Sequence, residues 1–337
     1  MTRFLFAILL VGPVIAGMPT AARADVPPVC QGKDLVAELQ QTDPATYDAV
    51  MAEAAKVPNA DAEFWRIEKD GLRPSWLLGT AHVTDPRVTT LTPDESEALE
   101  SSSKVVLELA ELKNQHELMA ATMKNAEILL LPVGKSLWDL VPNKEEHFIR
   151  DNPNLPPGMA KNLYGYKPWT VAMMLTIPPC EVARKRAGVA VLDQIIGSRA
   201  ARSGKPVLGL ESMSEQLHVL DDMPADMQMR YLLAVARMGK EVPDYFETLL
   251  ALYDRRQTAA YRPFAILSHS AGTDDAALMA YFEDSLIRER NHRMASRAED
   301  ILAGGGAFIA VGAMHLIGEE GLVALFRQAG YTVTPVN

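Results

Sequence analysis

Apolar and polar residues alternate from Phe64 to Glu68, and a second apolar run occupies Ser75–Gly79 after the polar tripeptide Lys69-Asp70-Gly71. Alternation over so few residues, interrupted by a turn, predicts a β-hairpin. Three further runs, "KVVLELAE", "KPVLGLE" and "AFIAVGAMH", are almost continuously apolar. That pattern predicts strands buried on both faces. "YTVTPV" predicts a last strand near the C-terminus. Elsewhere the apolar spacing is helical. Lys33–Lys56 predicts one or two short helices interrupted at Pro44. "TPDESEALESSS" predicts a helix with Thr92 as N-cap and Asp94 and Glu95 in its first turn. "VAVLDQIIGSRAARSG" predicts a helix ending at Gly204, and "AALMAYFEDSLIRERNHRMASRAEDILAGGG" one long helix with a glycine stop. "GEEGLVALFRQAG" predicts the last helix. Residues 113–180 and 213–300 are mostly helical, with breaks at Pro132, Pro142, Pro153, Pro224 and Pro243. Strands alternating with helices imply an α/β fold carrying a large helical insertion.

The first residues depart from this pattern. Arg3 precedes an apolar stretch from Phe4 to Ala16, and Ala22-Arg23-Ala24 follows. A charged start, a short apolar segment and an A-x-A site predict a signal peptide over residues 1–24. The apolar stretch is too short to span a bilayer. The expected mature chain, residues 25–337, is a single domain exported to a periplasm or secreted. The 337 residues carry a formal net charge of −10, and losing Arg3 and Arg23 makes it more negative still. Such a balance makes nucleic acid and anionic membranes poor candidates as partners. The two cysteines, Cys30 and Cys180, could pair in an oxidising compartment or remain free thiols. Neither has metal-ligand spacing to another Cys or His.

The candidate chemistry lies where the strands end. "WLLGTAH" ends in Gly79-Thr80-Ala81-His82, and "AVGAMH" in Gly312-Ala313-Met314-His315. The same G-x-x-H closes two apolar runs that are far apart in sequence. "KVVLE" reaches Glu108 and "VLGLE" reaches Glu211. In a mostly parallel sheet the C-terminal strand ends share one edge, where ligands bind. Two imidazoles and one or two carboxylates would form a first shell for a divalent ion. A metal-free acid/base pair and a set of turn-capping side chains are alternatives from the same residues. In a strand, Glu111 would face away from Glu108.

"WLLGTAHV", "VVLELAE", "YGYKPW", "GKPVLGLES", "RERN" and "VGAMHLIGEEGLVALFRQAGYTV" together resemble, in this order, the landmarks of the TraB/PrgY/GumN family, which includes the Tiki metalloproteases. The resemblance covers about Phe64 to Val336 and implies a mixed β-sheet flanked by helices, related to the erythromycin-esterase and ChaN-like group. For the Tiki branch it implies metal-dependent hydrolysis of peptide bonds, with a peptide or protein as substrate; the expected ion is divalent, Mn, Co or Zn. Carried across by motif, His82, His315 and Glu108 are the expected metal ligands. Glu108 and Glu211 are candidate bases, and Arg290 and Asn291 are the matching Arg-Asn pair. Arg290 could stabilise an oxyanion or hold a substrate carboxylate. "IRERNHR" also has the composition of a solvated helix face. Tyr166, Lys167 and Trp169 are expected to line the substrate cleft or to pack. Family members often read Glu-Leu-Asp where this chain has Glu108-Leu109-Ala110. Two other readings stay open: a regulatory protein that binds a peptide or haem-like ligand without turnover, and a metal-free His/Glu hydrolase of the esterase type.

Overall fold

A computed structural model of the chain describes residues 28–156, 158–268 and 276–336. The expected signal peptide lies outside the described residues. Six strands form one mixed sheet: β1 (Phe64–Glu68), β2 (Ser75–Thr80), β3 (Lys104–Leu109), β4 (Val207–Glu211), β5 (Ala307–Gly312) and β6 (Thr332–Pro335). Their order is β4-β3-β5-β2-β1-β6. The hairpin expected from the alternation is present, with Phe64 opposite Leu78 and Ile67 opposite Ser75. β6 adds antiparallel to β1. The four strands β4, β3, β5 and β2 are mutually parallel. Their C-terminal ends, with Glu211, Glu108, Gly312 and Thr80, therefore lie along one edge in that order.

Period-2 geometry divides the apolar side chains of the strands between two layers. Leu78, Val105, Leu107, Phe308 and Ala310 pack with Leu99, Leu192 and Ile196 on one face. Leu77, Val106, Ile309 and Val311 pack with Met294, Ala298, Leu302 and Phe326 on the other. Glu108 has the parity of Val106, so it faces the second layer. The helices that matter for the site are α1 (Leu35–Thr42), α2 (Pro44–Ala54), α3 (Pro93–Ser101), α4 (Pro179–Arg186), α5 (Leu192–Arg202), α6 (Met213–Asp221), α7 (Val242–Asp254), α8 (Glu289–Ala303) and α9 (Leu322–Gln328). Most of the remaining helices pack around a separate core containing Trp169, Tyr231 and Phe282, whereas Tyr261–Leu267 packs with α1, α2 and α7 and Gln115–Lys124 buries Leu118 in the first layer.

Several local expectations hold for the stated reasons. Thr92 caps α3 in a reciprocal capping box with Glu95. Pro44 starts α2 rather than interrupting a helix, because Asp43 caps it and proline is tolerated in the first turn. Others are corrected. β4 was expected to be buried on both faces, but it is the edge strand and Leu208 is exposed. Glu111 lies in a 3₁₀ turn, Ala110–Lys113, so strand parity does not apply to it. The expected long C-terminal helix contains a π-helical segment, Phe282–Arg288, directly before α8. Cys30 and Cys180 are joined by a disulfide with Cα atoms 5.2 Å apart, which fits an oxidising, extracytoplasmic setting. Among the described residues no helix is long and apolar enough to cross a membrane.

Candidate functional site

The two G-x-x-H turns meet because β2 and β5 are parallel neighbours in register, with Gly79 opposite Val311 and Thr80 opposite Gly312. Each motif glycine backs onto the other motif. A Cβ on Gly79 would lie 2.9 Å from the Ala313 Cα, and a Cβ on Gly312 would lie 3.1 Å from His82 Nε2. The glycines are thus required by close approach, as neither has a positive φ.

Both rings are held by Nδ1. His82 Nδ1 is 3.0 Å from Asp193 Oδ2, and Asp193 Oδ1 accepts from the Thr80 hydroxyl at 2.9 Å. His315 Nδ1 is 2.6 Å from Asn291 Oδ1. Asn291 Nδ2 donates to the Glu320 carbonyl at 2.8 Å, which fixes the amide orientation. Its Oδ1 therefore accepts, Nδ1 of His315 carries the proton, and Nε2 is left with its lone pair. Both Nε2 atoms are buried without a hydrogen-bond partner. Both face the same carboxylate oxygen: Glu108 Oε1 is 3.6 Å from His82 Nε2 and 3.8 Å from His315 Nε2.

Glu108 is pinned from its other side. Oε1 accepts the Gly312 N–H at 2.7 Å, and Oε2 accepts from Gln216 at 3.0 Å and from Arg290 at 2.9 Å. Arg290 also grips Glu211, with Nε at 3.0 Å and Nη2 at 2.6 Å from Glu211 Oε2, and donates from Nη1 to the Leu286 carbonyl at 3.2 Å. Arg293 reaches Glu211 Oε1 at 3.2 Å. Arg290 and Asn291 are buried, while Arg288, Glu289 and His292 of the same charge run are exposed, so the run is a solvated face with two residues turned inward. With four of its five N–H groups engaged, Arg290 is placed to hold Glu108 and Glu211 rather than to reach a substrate. Of the expected residues, the structure brings together His82, His315, Glu108, Glu211, Arg290 and Asn291. Lys167 and Trp169 instead share Asp221, at 2.6 and 3.1 Å, and Trp169 is packed in the helical core. Tyr166 bridges to Leu130.

The electrostatics of the two rings differ. Burial opposes a charge on His82, but the carboxylates of Asp193 and Glu108 outweigh it and push the ring up to about 10. Burial, then the Arg290 charge, pushes His315 down to about 4. Burial would raise Glu108, yet Arg290 and then His82 hold it well below the usual carboxylate range. The site is nearly closed. His82 and Glu211 are each 6 % exposed, while Glu108, His315 and Arg290 are fully buried.

Sequence reasoning missed Asp193 and Gln216. Asp193 had a signal: it lies on the buried stripe of α5 with Ile196, Gly197 and Ala200, where an acid needs a partner. Arg290 and Asn291 likewise begin the buried stripe of α8 that continues through Met294, Ala298 and Leu302. Gln216 had no comparable mark.

Among the described residues no group of three or more His, Cys, Asp or Glu side chains is arranged to hold a metal ion as it stands. The donor chemistry nevertheless suits one. Tetrahedral ligands about 2.1 Å from an ion lie about 3.4 Å apart, close to the two imidazole–carboxylate separations here. Anchoring Nδ1 while leaving Nε2 open is how metal-binding histidines are oriented.

Known proteins sharpen this picture. Metalloprotease TIKI1 of Danio rerio is 28 % identical over 316 residues, covering 80 % of this chain and 62 % of its own length. Metalloprotease TIKI1 of Homo sapiens is 27 % identical, covering 80 % and 61 %. Metalloprotease TIKI2 of Xenopus tropicalis is 26 % identical, covering 77 % and 57 %. The chain thus spans about 60 % of the length of the curated relatives it matches. No solved structure shows a significant match. The sequence profile of the TraB/PrgY/gumN family matches residues 64–335, from β1 to the end of β6 and through both G-x-x-H turns, and the chain belongs to that family.

Proposed function

We propose that the chain is an exported metal-dependent hydrolase of peptide bonds, with its ion held by His82 Nε2, His315 Nε2 and Glu108 Oε1. One observation carries this reading: two buried imidazoles, each anchored at Nδ1, turn unpartnered Nε2 atoms toward one carboxylate oxygen. The distant metalloprotease relatives support it. The kinship of the core with the erythromycin-esterase and ChaN-like group is part of the same proposal. A bound Mn²⁺, Co²⁺ or Zn²⁺ would supply Lewis acidity and an acidified water.

The protein's own share is orientation. Asp193 and Asn291 fix which nitrogen of each ring is open. Arg290 and Gln216 hold Glu108 Oε2, so Oε1 stays turned toward the rings. Glu211 completes the charge balance around Arg290. A substrate approaches from the side of His82 and Glu211, where the site has its little exposure.

A specific observation favours a second reading. The Asp193–His82 pair has the orientation of a general-base histidine, which would act without a metal. One experiment separates the readings. The chelator-stripped chain is titrated with Mn²⁺, Co²⁺ and Zn²⁺ while cleavage of a fluorogenic peptide library is followed, alongside His82→Ala and His315→Ala. Turnover restored by metal and lost in both variants supports the metallopeptidase. Chelator-resistant turnover supports the His/Asp reading and overturns the metal one. Peptide capture without cleavage overturns both.

A further inference from the structure

The loop leaving β2 carries His82 and is held from two sides: Ala81, Val83 and Val88 pack against Phe246 and Leu250 of α7, and α4 grips its polar groups. α4 presents three charged side chains to it. Glu181 accepts the Thr84 N–H at 3.0 Å on Oε1 and the Thr84 hydroxyl at 2.6 Å on Oε2. Arg184 Nη1 donates to Asp85 Oδ2 at 3.2 Å. Lys185 Nζ lies 3.4 Å from the His82 carbonyl oxygen and 3.5 Å from Glu181 Oε1. Glu181 and Arg184 are buried although charged.

What holds α4 is unusual. Its buried residues are Glu181, Val182 and Arg184, so one apolar side chain anchors an eight-residue helix. A helix this short is marginal without tertiary packing, and one valine supplies little. The remaining anchorage comes from the N-terminal segment. Arg184 Nε donates to the Pro28 carbonyl at 2.9 Å, and Cys180 in the first turn of α4 is bonded to Cys30. The segment is itself fixed to α7: the Lys33 amide donates to Asp244 at 2.8 Å and the Leu35 amide to Thr248 at 2.9 Å. Both loops bury apolar side chains beside their histidine, Ala81 and Val83 in one and Ala313 and Leu316 in the other, so what sets the His82 loop apart is its set of polar contacts with α4.

We propose that α4, anchored by Cys30–Cys180, is the polar clamp of the His82 loop, acting beside its apolar packing on α7, with Glu181 as its positioning residue. Breaking the disulfide then loosens His82 while the sheet and His315 stay in place. This inference rests on the assignment of His82 to the site. A dithiol reductant supplies the two electrons and two protons that turn the disulfide into two thiols, and is itself oxidised to a cyclic disulfide.

The test uses the metal-free, ¹⁵N-labelled chain in three forms: oxidised, reduced with dithiothreitol, and oxidised Glu181→Gln. Proton NMR follows the Thr84 amide and the Nδ1–H signals of His82 and His315, and circular dichroism follows the fold. In the reduced and Glu181→Gln forms, Thr84 exchange is expected to accelerate by about ten-fold or more. The His82 signal is expected to shift or broaden while that of His315 does not. An unchanged His82 signal in either folded form overturns the clamp. So does an equal change at both histidines, or global unfolding on reduction, because the effect is then not local. Since no metal is present, failure here leaves the metal reading standing. An oxidised chain that binds no metal, while its His82 signal still shifts on reduction, would do the reverse.

Discussion

His82 and His315 end the same four-residue motif on adjacent parallel strands, yet they occupy opposite electrostatic settings. His82 leans on a carboxylate and is pushed up to about 10, burial notwithstanding. His315 leans on an amide near a buried arginine and is pushed down to about 4. The motif fixes where each ring stands. Residues on α5 and α8, remote in sequence, fix what each ring can do. The glycines divide in the same way. Gly79 makes room for backbone, whereas Gly312 makes room for the site itself.

The largest expected effect comes from the residue that both halves share. Arg290→Met leaves Glu108 and Glu211 buried with their principal cation gone, and removing one partner of a buried ion pair costs about 3–5 kcal/mol. Urea unfolding should show that loss, and a change within ±0.5 kcal/mol would mean that the cluster is not a structural unit. Next come the anchors. Asp193→Asn and Asn291→Leu should each weaken Mn²⁺ or Zn²⁺ binding by about 10–100-fold in calorimetric titration. An effect confined to one of them would show that only one ring binds.

The glycines give a smaller and more discriminating contrast. Gly79→Ala pushes a methyl into the Ala313 backbone and should cost about 1–3 kcal/mol of stability, read as a lower melting temperature. Gly312→Ala places its Cβ 3.1 Å from His82 Nε2 and 3.3 Å from Glu108 Oε1, so it should weaken metal binding more than it lowers the melting temperature. The reverse ranking would reject the division of labour between them.

The smallest effect lies behind β1. Burial pushes Glu63 up to about 8, against a usual value of 4.5, and the Thr258 hydroxyl and Arg256 only partly offset it. The folded state therefore holds this proton more tightly than the unfolded chain. Its contribution is full below about pH 4.5 and is lost as pH rises through about 8. Glu63→Gln should flatten that decline in a series of melts between these limits. An unchanged slope would assign the decline to other groups.

The strands and the edge they share were legible because period and burial leave marks in sequence. Glu108 and the two histidines were legible because polar residues ended apolar runs. The anchoring layer was harder. Arg290 sat within a run of charges, and only its four-residue spacing from Met294 marked it as buried. Asp193 was similarly placed on α5. The disulfide was unreadable because 150 residues separate its cysteines and their distance depends on how α4 docks. β4 was misjudged because an apolar run does not reveal whether a strand lies at the edge of its sheet.

The central claim is that one ion is shared by the two motif histidines. The most direct measurement is a Zn²⁺ titration of the ¹⁵N-histidine-labelled, metal-free chain, following the side-chain nitrogens by NMR. The account predicts that the Nε2 signals of His82 and His315 move together and that both saturate at one equivalent per chain. Movement of one ring alone, or of neither, would contradict it.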